Sequence, residues 1–332
     1  MKMSVLFTAW AALALVSTQN PASWPGARAA YGMAFEAHTG LTLIYGDRGP
    51  EASVLWGWNG MRWRRFDAPG PGLRRHVKLS YDAARRRTVL FGGLDDSGQV
   101  NYGDTWEWDG TRWWQVATDG PAPRGSYAMT YDPVRRRTVL FGGLSGSDGT
   151  LGDTWEWDGH TWTRMSTTGP SPRGESGAVF DSATGRVVIA GGTSWQGRPM
   201  NGRIAWSSTP RHVWPRDTWA WDGRVWQLVA AHGPARFGPL ATDPVSGNTL
   251  RIGGDSDNGL LGNLLRLNGA TWQPVPAAEI PSRFFHDASL DISRRRVVVF
   301  GGSRGGAPVA DLWEWDGTIW HHIVPESKHD EV

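Results

Sequence analysis

The sequence predicts an all-β protein, a six-bladed β-propeller of four-stranded antiparallel blades, and three observations carry that expectation. An apolar strand ending in a double glycine recurs along the 332-residue chain. A second block, in its fullest form Asp-Thr-Trp-Glu-Trp-Asp-Gly, follows each copy. Between turn signals the apolar residues alternate or run for four to six positions, and no stretch keeps a helical period. Tandem four-stranded sheets of this kind protect their edges by radial arrangement.

The elements follow in chain order. Val89-Leu90-Phe91-Gly92-Gly93 returns as Val139 to Gly143, Val188 to Gly192, Leu250 to Gly254 and Val298 to Gly302, with Leu43-Ile44-Tyr45-Gly46-Asp47 as a degenerate first copy. The second block spans Asp104 to Gly110, Asp153 to Gly159, Asp217 to Gly223 and Asp311 to Gly317. Weaker copies run from Leu55 to Gly60 and from Asn263 to Gly269. A closing tryptophan ends each unit, at 63, 113, 162, 226, 272 and 320, spaced by 50, 49, 64, 46 and 48 residues. In the second unit the strands are expected at Val77 to Tyr81, Thr88 to Phe91, Thr105 to Trp108 and Arg112 to Val116. Asp109-Gly110 is a tight hairpin signal, because glycine accepts the positive backbone angle of such turns.

These residues resemble the kelch repeat of the galactose-oxidase-like propellers: the double glycine after an apolar strand, the third-strand aromatic and the tryptophan some twenty residues later. The resemblance covers all six units, with departures at Gly46-Asp47 and at Leu265 and Leu267, which replace the paired tryptophans. It implies a propeller fold. It also implies that arginines on one face are able to capture acidic peptides, as some kelch propellers do. The copper-radical oxidases of that wider group need a Cys cross-linked to Tyr, and this chain has no cysteine.

Composition sets further limits. Glycine and proline make up about a fifth of the chain, but 22 tryptophans and 39% hydrophobic residues bring too much apolar surface for a solvated coil. The missing cysteines exclude disulfides, Cys-ligated metals and thiol nucleophiles. The histidines show no ligand spacing, so no metal and no cofactor are expected. Lys2, Lys78 and Lys328 are the only lysines among 34 basic residues. Residues 3–16 form an apolar run too short to span a bilayer, which reads as an export signal over 1–21; an apolar terminal element of a cytoplasmic protein is the alternative. The propeller then occupies 22–325 and a charged tail 326–332, with no membrane span left after signal removal.

Three features are candidate sites. The first is a ring of arginines ahead of the first strands: Arg28, Arg74, Arg124, Arg173, Arg236 and Arg283. They offer bidentate donors to a carboxylate or phosphate, or else pair internally with Glu107, Glu156 and Glu314. The second is the set of polar residues that differ between units along the channel: His76, Lys78, Glu175, His286 and Asp287. The third is the long loop between Gly192 and Asp217, which carries Trp195, Trp206 and Trp214 on the arginine face. The triplets starting at Arg85, Arg135 and Arg294 lie on the opposite face in only three units, so they are read as solvated turns and no nucleic-acid partner is expected.

Two functions fit. One is a non-catalytic binding or scaffold protein for a protein, peptide or glycan ligand with acidic groups. The other is an exported enzyme on an acidic sugar, mutarotase- or epimerase-like, which requires Lys78, Glu175, His286 or Asp287 to converge unpaired on one pocket.

Overall fold

Alternating apolar residues and glycine-marked turns fold each repeat into one antiparallel sheet, and the computed structural model shows six of them in a ring. The structure describes residues 24–324 except 48–49, 147–148, 196–211, 234–237, 257–258 and 277–278. Blade 2 is Leu79–Asp82, Arg87–Leu94, Asn101–Trp108 and Trp113–Ala117, hydrogen-bonded in that order. The six blades span 32–66, 79–117, 128–166, 177–230, 240–274 and 287–323. Each is built from one continuous repeat, so the ring closes between blades 6 and 1 without a shared strand. Small hairpins pair Ser194–Trp195 with His212–Val213 and Ser303–Arg304 with Ala307–Pro308. Among the described residues no helix is long and apolar enough to cross a membrane.

The core is divided among the seams. Six apolar clusters each join two neighbouring blades, as where Tyr31, Trp56, Trp58 and Trp63 of blade 1 meet Val298, Phe300 and Leu312 of blade 6. The repeated glycines are required by these seams. Gly92 has φ 51°, and a Cβ there would lie 2.6 Å from the carbonyl of Arg124 in the next blade. Gly159, in a third-strand hairpin with φ 101°, lies under Arg85 of the preceding blade, where a Cβ would come within 2.4 Å of Nε.

Polar latches tie the same seams. Trp157, Trp221 and Trp58 donate their indole N–H to Glu107, Glu156 and Glu314 of the preceding blades at 2.9, 2.8 and 2.7 Å. Arg85, Arg135 and Arg294, the first arginines of the triplets, clasp those glutamates and the first-strand aspartates Asp82, Asp132 and Asp291. The triplets are therefore only partly the solvated turns expected from sequence. Their middle members Arg86, Arg136 and Arg295 are exposed in left-handed turn positions, whereas the first members are half-buried structural clasps.

Candidate functional site: the channel mouth

The arginine ring is built into the framework. Arg74, Arg124, Arg173 and Arg283 are buried, and each grips the aspartate that begins the Asp-x-Trp block of its own blade: Asp104, Asp153, Asp217 and Asp311, with Nη2–Oδ2 distances of 2.8, 3.0, 3.2 and 2.7 Å. Their Nη1 groups also donate to Gly92, Gly142, Gly191 and Gly301 carbonyls. Trp106, Trp155, Trp219 and Trp313 donate to the same aspartates. Burial pushes these carboxyls up, but the arginine and indole donors outweigh it and hold all four below the ordinary aspartate value. The internal partner is thus aspartate and not Glu107, Glu156 or Glu314. Blade 1 has Val54 where blades 2, 3, 4 and 6 have Asp, and there Arg28 is 2% exposed, with no ion pair among the described residues and a pKa lowered by burial. Arg236 lies outside the described residues. With four guanidinium groups buried and pinned, the ring does not supply the anion pocket that an acidic ligand would need.

What faces the mouth is the residue two positions after each arginine. Ala30, His76, Ser126, Glu175 and Phe285 all sit in the left-handed region, φ 54° to 58°, an arrangement that costs a non-glycine residue about 1 kcal/mol or more. Backbone bonds hold them: the N–H of Ala30, His76, Ser126 and Glu175 donates to the carbonyl of Phe285, Ala30, His76 and Ser126, at 2.8, 2.6, 2.9 and 2.6 Å. Blade 5 places Gly238 at this position. In the other five blades the backbone conformation is therefore constant, and its side chains differ from blade to blade.

Three of those side chains meet. His76 Nδ1 lies 2.9 Å from Glu175 Oε1 and 3.0 Å from Ser126 Oγ, and the Ser126 hydroxyl donates to the same Glu175 oxygen. Burial would raise the Glu175 carboxyl, yet His76, Ser126 and Lys78 together bring it below the ordinary value, so it is ionised at neutral pH. The Phe285 ring meets the His76 ring edge-on at 5.7 Å. Beneath them is an opening of about 40 Å³, lined among others by Lys78, Tyr127, Glu175 and Phe285. An engineered cavity that takes benzene is near ~150 Å³, so this opening suits a small polar group rather than a ring.

The remaining predicted residues are accounted for individually. Lys78 reaches Asp287 of blade 6 at 3.0 Å, passing blade 1 at Gly32, where a Cβ would fall 2.6 Å from the Leu79 nitrogen. Burial raises the Asp287 carboxyl, and Lys78 offsets only part of that rise. His286 is a latch: its Nε2 lies 3.1 Å from the Ile252 carbonyl of blade 5, as Tyr31 and Tyr127 bond the carbonyls of Phe300 and Phe91 from the same repeat position. Burial drives its pKa well below the usual histidine value, so the ring is neutral and donates. Of the loop tryptophans, Trp195 belongs to the small hairpin, Trp214 is half-buried beyond it, and Trp206 lies outside the described residues. Residues 1–21 and the tail 326–332 also lie outside them. Ser126 was not singled out from sequence. Its signal was present in the unit-to-unit variation at the second position after the arginine.

The bonding pattern decides what chemistry the mouth supports. A nucleophilic serine hands its proton to a base with a free lone pair. Here the Ser126 proton lies on a carboxylate whose pKa is held low, a weak base, and His76 turns the same nitrogen to both partners. Among the described residues no group of three His, Asp or Glu side chains is arranged to hold a metal ion. Comparison with protein-family models and with curated proteins gives no match.

Proposed function

We propose that this six-bladed propeller is a kelch-type, non-catalytic binding protein that seats a protein, peptide or glycan ligand on the channel mouth. The observation that carries the reading is the convergence of His76, Ser126 and Glu175 from three successive blades at the one strained position where the repeats differ. Repeated residues are spent on seams; side chains that vary over a fixed, strained backbone are the ones free to specify a ligand. The acidic character expected of the ligand loses its main support with the pinned arginines. Glycan and peptide arrays probed with wild type, Glu175→Ala and the opposite-face control Arg136→Ala test the reading. Loss of signal in Glu175→Ala alone is expected; equal signal in all three proteins removes the mouth as the binding face.

An acid–base enzyme is the second reading, favoured by His76, Lys78 and Glu175 lining one opening. It is opposed by their pairing: Lys78 is held by Asp287 and Glu175 by His76 and Ser126, whereas a general base needs an unengaged lone pair near its substrate.

A further inference from the structure

We propose that the channel mouth recognises a primary ammonium group, with Glu175 Oε2 as its acceptor. The inference rests on the mouth being the binding site and names the chemistry of its ligand. Glu175 spends one oxygen, Oε1, on both His76 and Ser126. Among the described residues no donor reaches Oε2. Most of the cations around it are committed elsewhere: Lys78 pairs with Asp287, and Arg74, Arg124, Arg173 and Arg283 with the aspartates of their own blades, while Arg28 of the same ring is buried. An incoming group thus meets an ionised carboxylate with an acceptor to offer and no accessible, uncommitted cation from this set, which selects for a donor that carries positive charge.

Two further features fit that donor. The opening of about 40 Å³ matches the size of an ammonium head. Phe285 lines the same opening and meets Phe284 in a tilted contact with ring centres 4.6 Å apart, and an aromatic face attracts a cation. The same chemistry is presented by the amino terminus or a lysine side chain of a peptide and by a free polyamine.

The test is NMR titration of the full chain, following the backbone amides of Lys78, Ser126, Glu175 and Gly177. The probes are n-butylammonium, spermidine, triglycine, N-acetyl-triglycine and glucuronate. Perturbation of these amides by the amines and by triglycine, with none from the acetylated peptide, supports the inference; spermidine against triglycine separates the polyamine source from the peptide source. Glu175→Gln keeps the shape and one oxygen for His76 and Ser126 but loses the charge and turns the Oε2 acceptor into an amide donor, and is expected to weaken amine binding by about tenfold or more. The wild-type comparison of free and acetylated triglycine stands even if that variant misfolds. Equal perturbation by both peptides, or a response to glucuronate alone, overturns the ammonium inference while leaving the mouth as the binding face. If no probe moves these amides and array ligands bind Glu175→Ala undiminished, both readings fall.

Discussion

The seam between blades 2 and 3 and the seam between blades 5 and 6 share backbone bonds, Gly93 to the Arg124 carbonyl and Gly254 to the Arg283 carbonyl, and have very different side-chain ones. At the first, Trp157 donates to Glu107, Trp162 to Thr105, and Tyr127 to the Phe91 carbonyl. At the second, among the described residues, the indole nitrogens of Trp315 and Trp320 are buried with no partner, and His286 makes the one side-chain latch corresponding to these. The cause is two substitutions in the third strand of blade 5. Leu264 stands where Thr105 does, and Arg266 where Glu107 does. Arg266 pairs with Asp243 at 2.5 Å, so the first-strand aspartate keeps a cation, now supplied from strand three instead of from the hairpin. The ion pair survived the change of source, and the acceptor for the next blade's tryptophan did not. Burial of the large indoles sustains a seam, and their hydrogen bonds are an addition that this seam does without.

Breaking the arginine anchor should have the largest effect at either seam. Arg124→Ala leaves Asp153 half-buried without its cation, and a loss of about 3–5 kcal/mol is expected by denaturant unfolding. Next comes a matched pair that sharpens the comparison. Trp157→Phe leaves Glu107 short of a donor and should cost about 1–3 kcal/mol, whereas Trp315→Phe removes an unpartnered N–H and should cost less than its counterpart. Smaller still is the difference between Thr105→Val, which removes the acceptor of Trp162 at about 1 kcal/mol, and Thr138→Val, whose hydroxyl is buried without a partner and whose loss should be close to neutral. Equal shifts for Trp157→Phe and Trp315→Phe would show that the latches do not distinguish the seams.

Acid acts on the anchors together. Asp104, Asp153, Asp217 and Asp311 have folded pKa values below the unfolded one, since the guanidinium and indole donors outweigh burial. Their stabilisation is fully present above the unfolded aspartate value of about 3.9 and is lost as pH falls through the lowered folded values. Melting temperature should therefore change little from pH 7 to 5 and fall steeply below about 4. Asp153→Asn should make that fall shallower.

The fold was legible because a repeat states its answer six times. The double glycine, the Asp-Gly hairpin and the closing tryptophan each mark a contact between blades that the structure confirms, down to the Cβ clash at Gly92 and Gly159. The arginine partner was misassigned for a reason visible in strand geometry. Asp104 lies in the third strand toward the mouth face, where Arg74 lies, while Glu107 is three residues further along, about 10 Å nearer the opposite face. Counting rise along the strand would have separated the two carboxylates. The cluster of His76, Ser126 and Glu175 was only partly legible. Contacts 50 and 99 residues apart depend on a left-handed turn that non-glycine residues rarely adopt, and no local pattern announces it.

The mouth is the region that these seams hold in place, and binding there through Glu175 is the central claim. Its most direct test is calorimetric titration of an array-selected ligand into wild type and Glu175→Gln, with melting curves confirming equal folding. A loss of affinity of about tenfold or more in the variant is the predicted result. Unchanged affinity in a folded Glu175→Gln protein would contradict it.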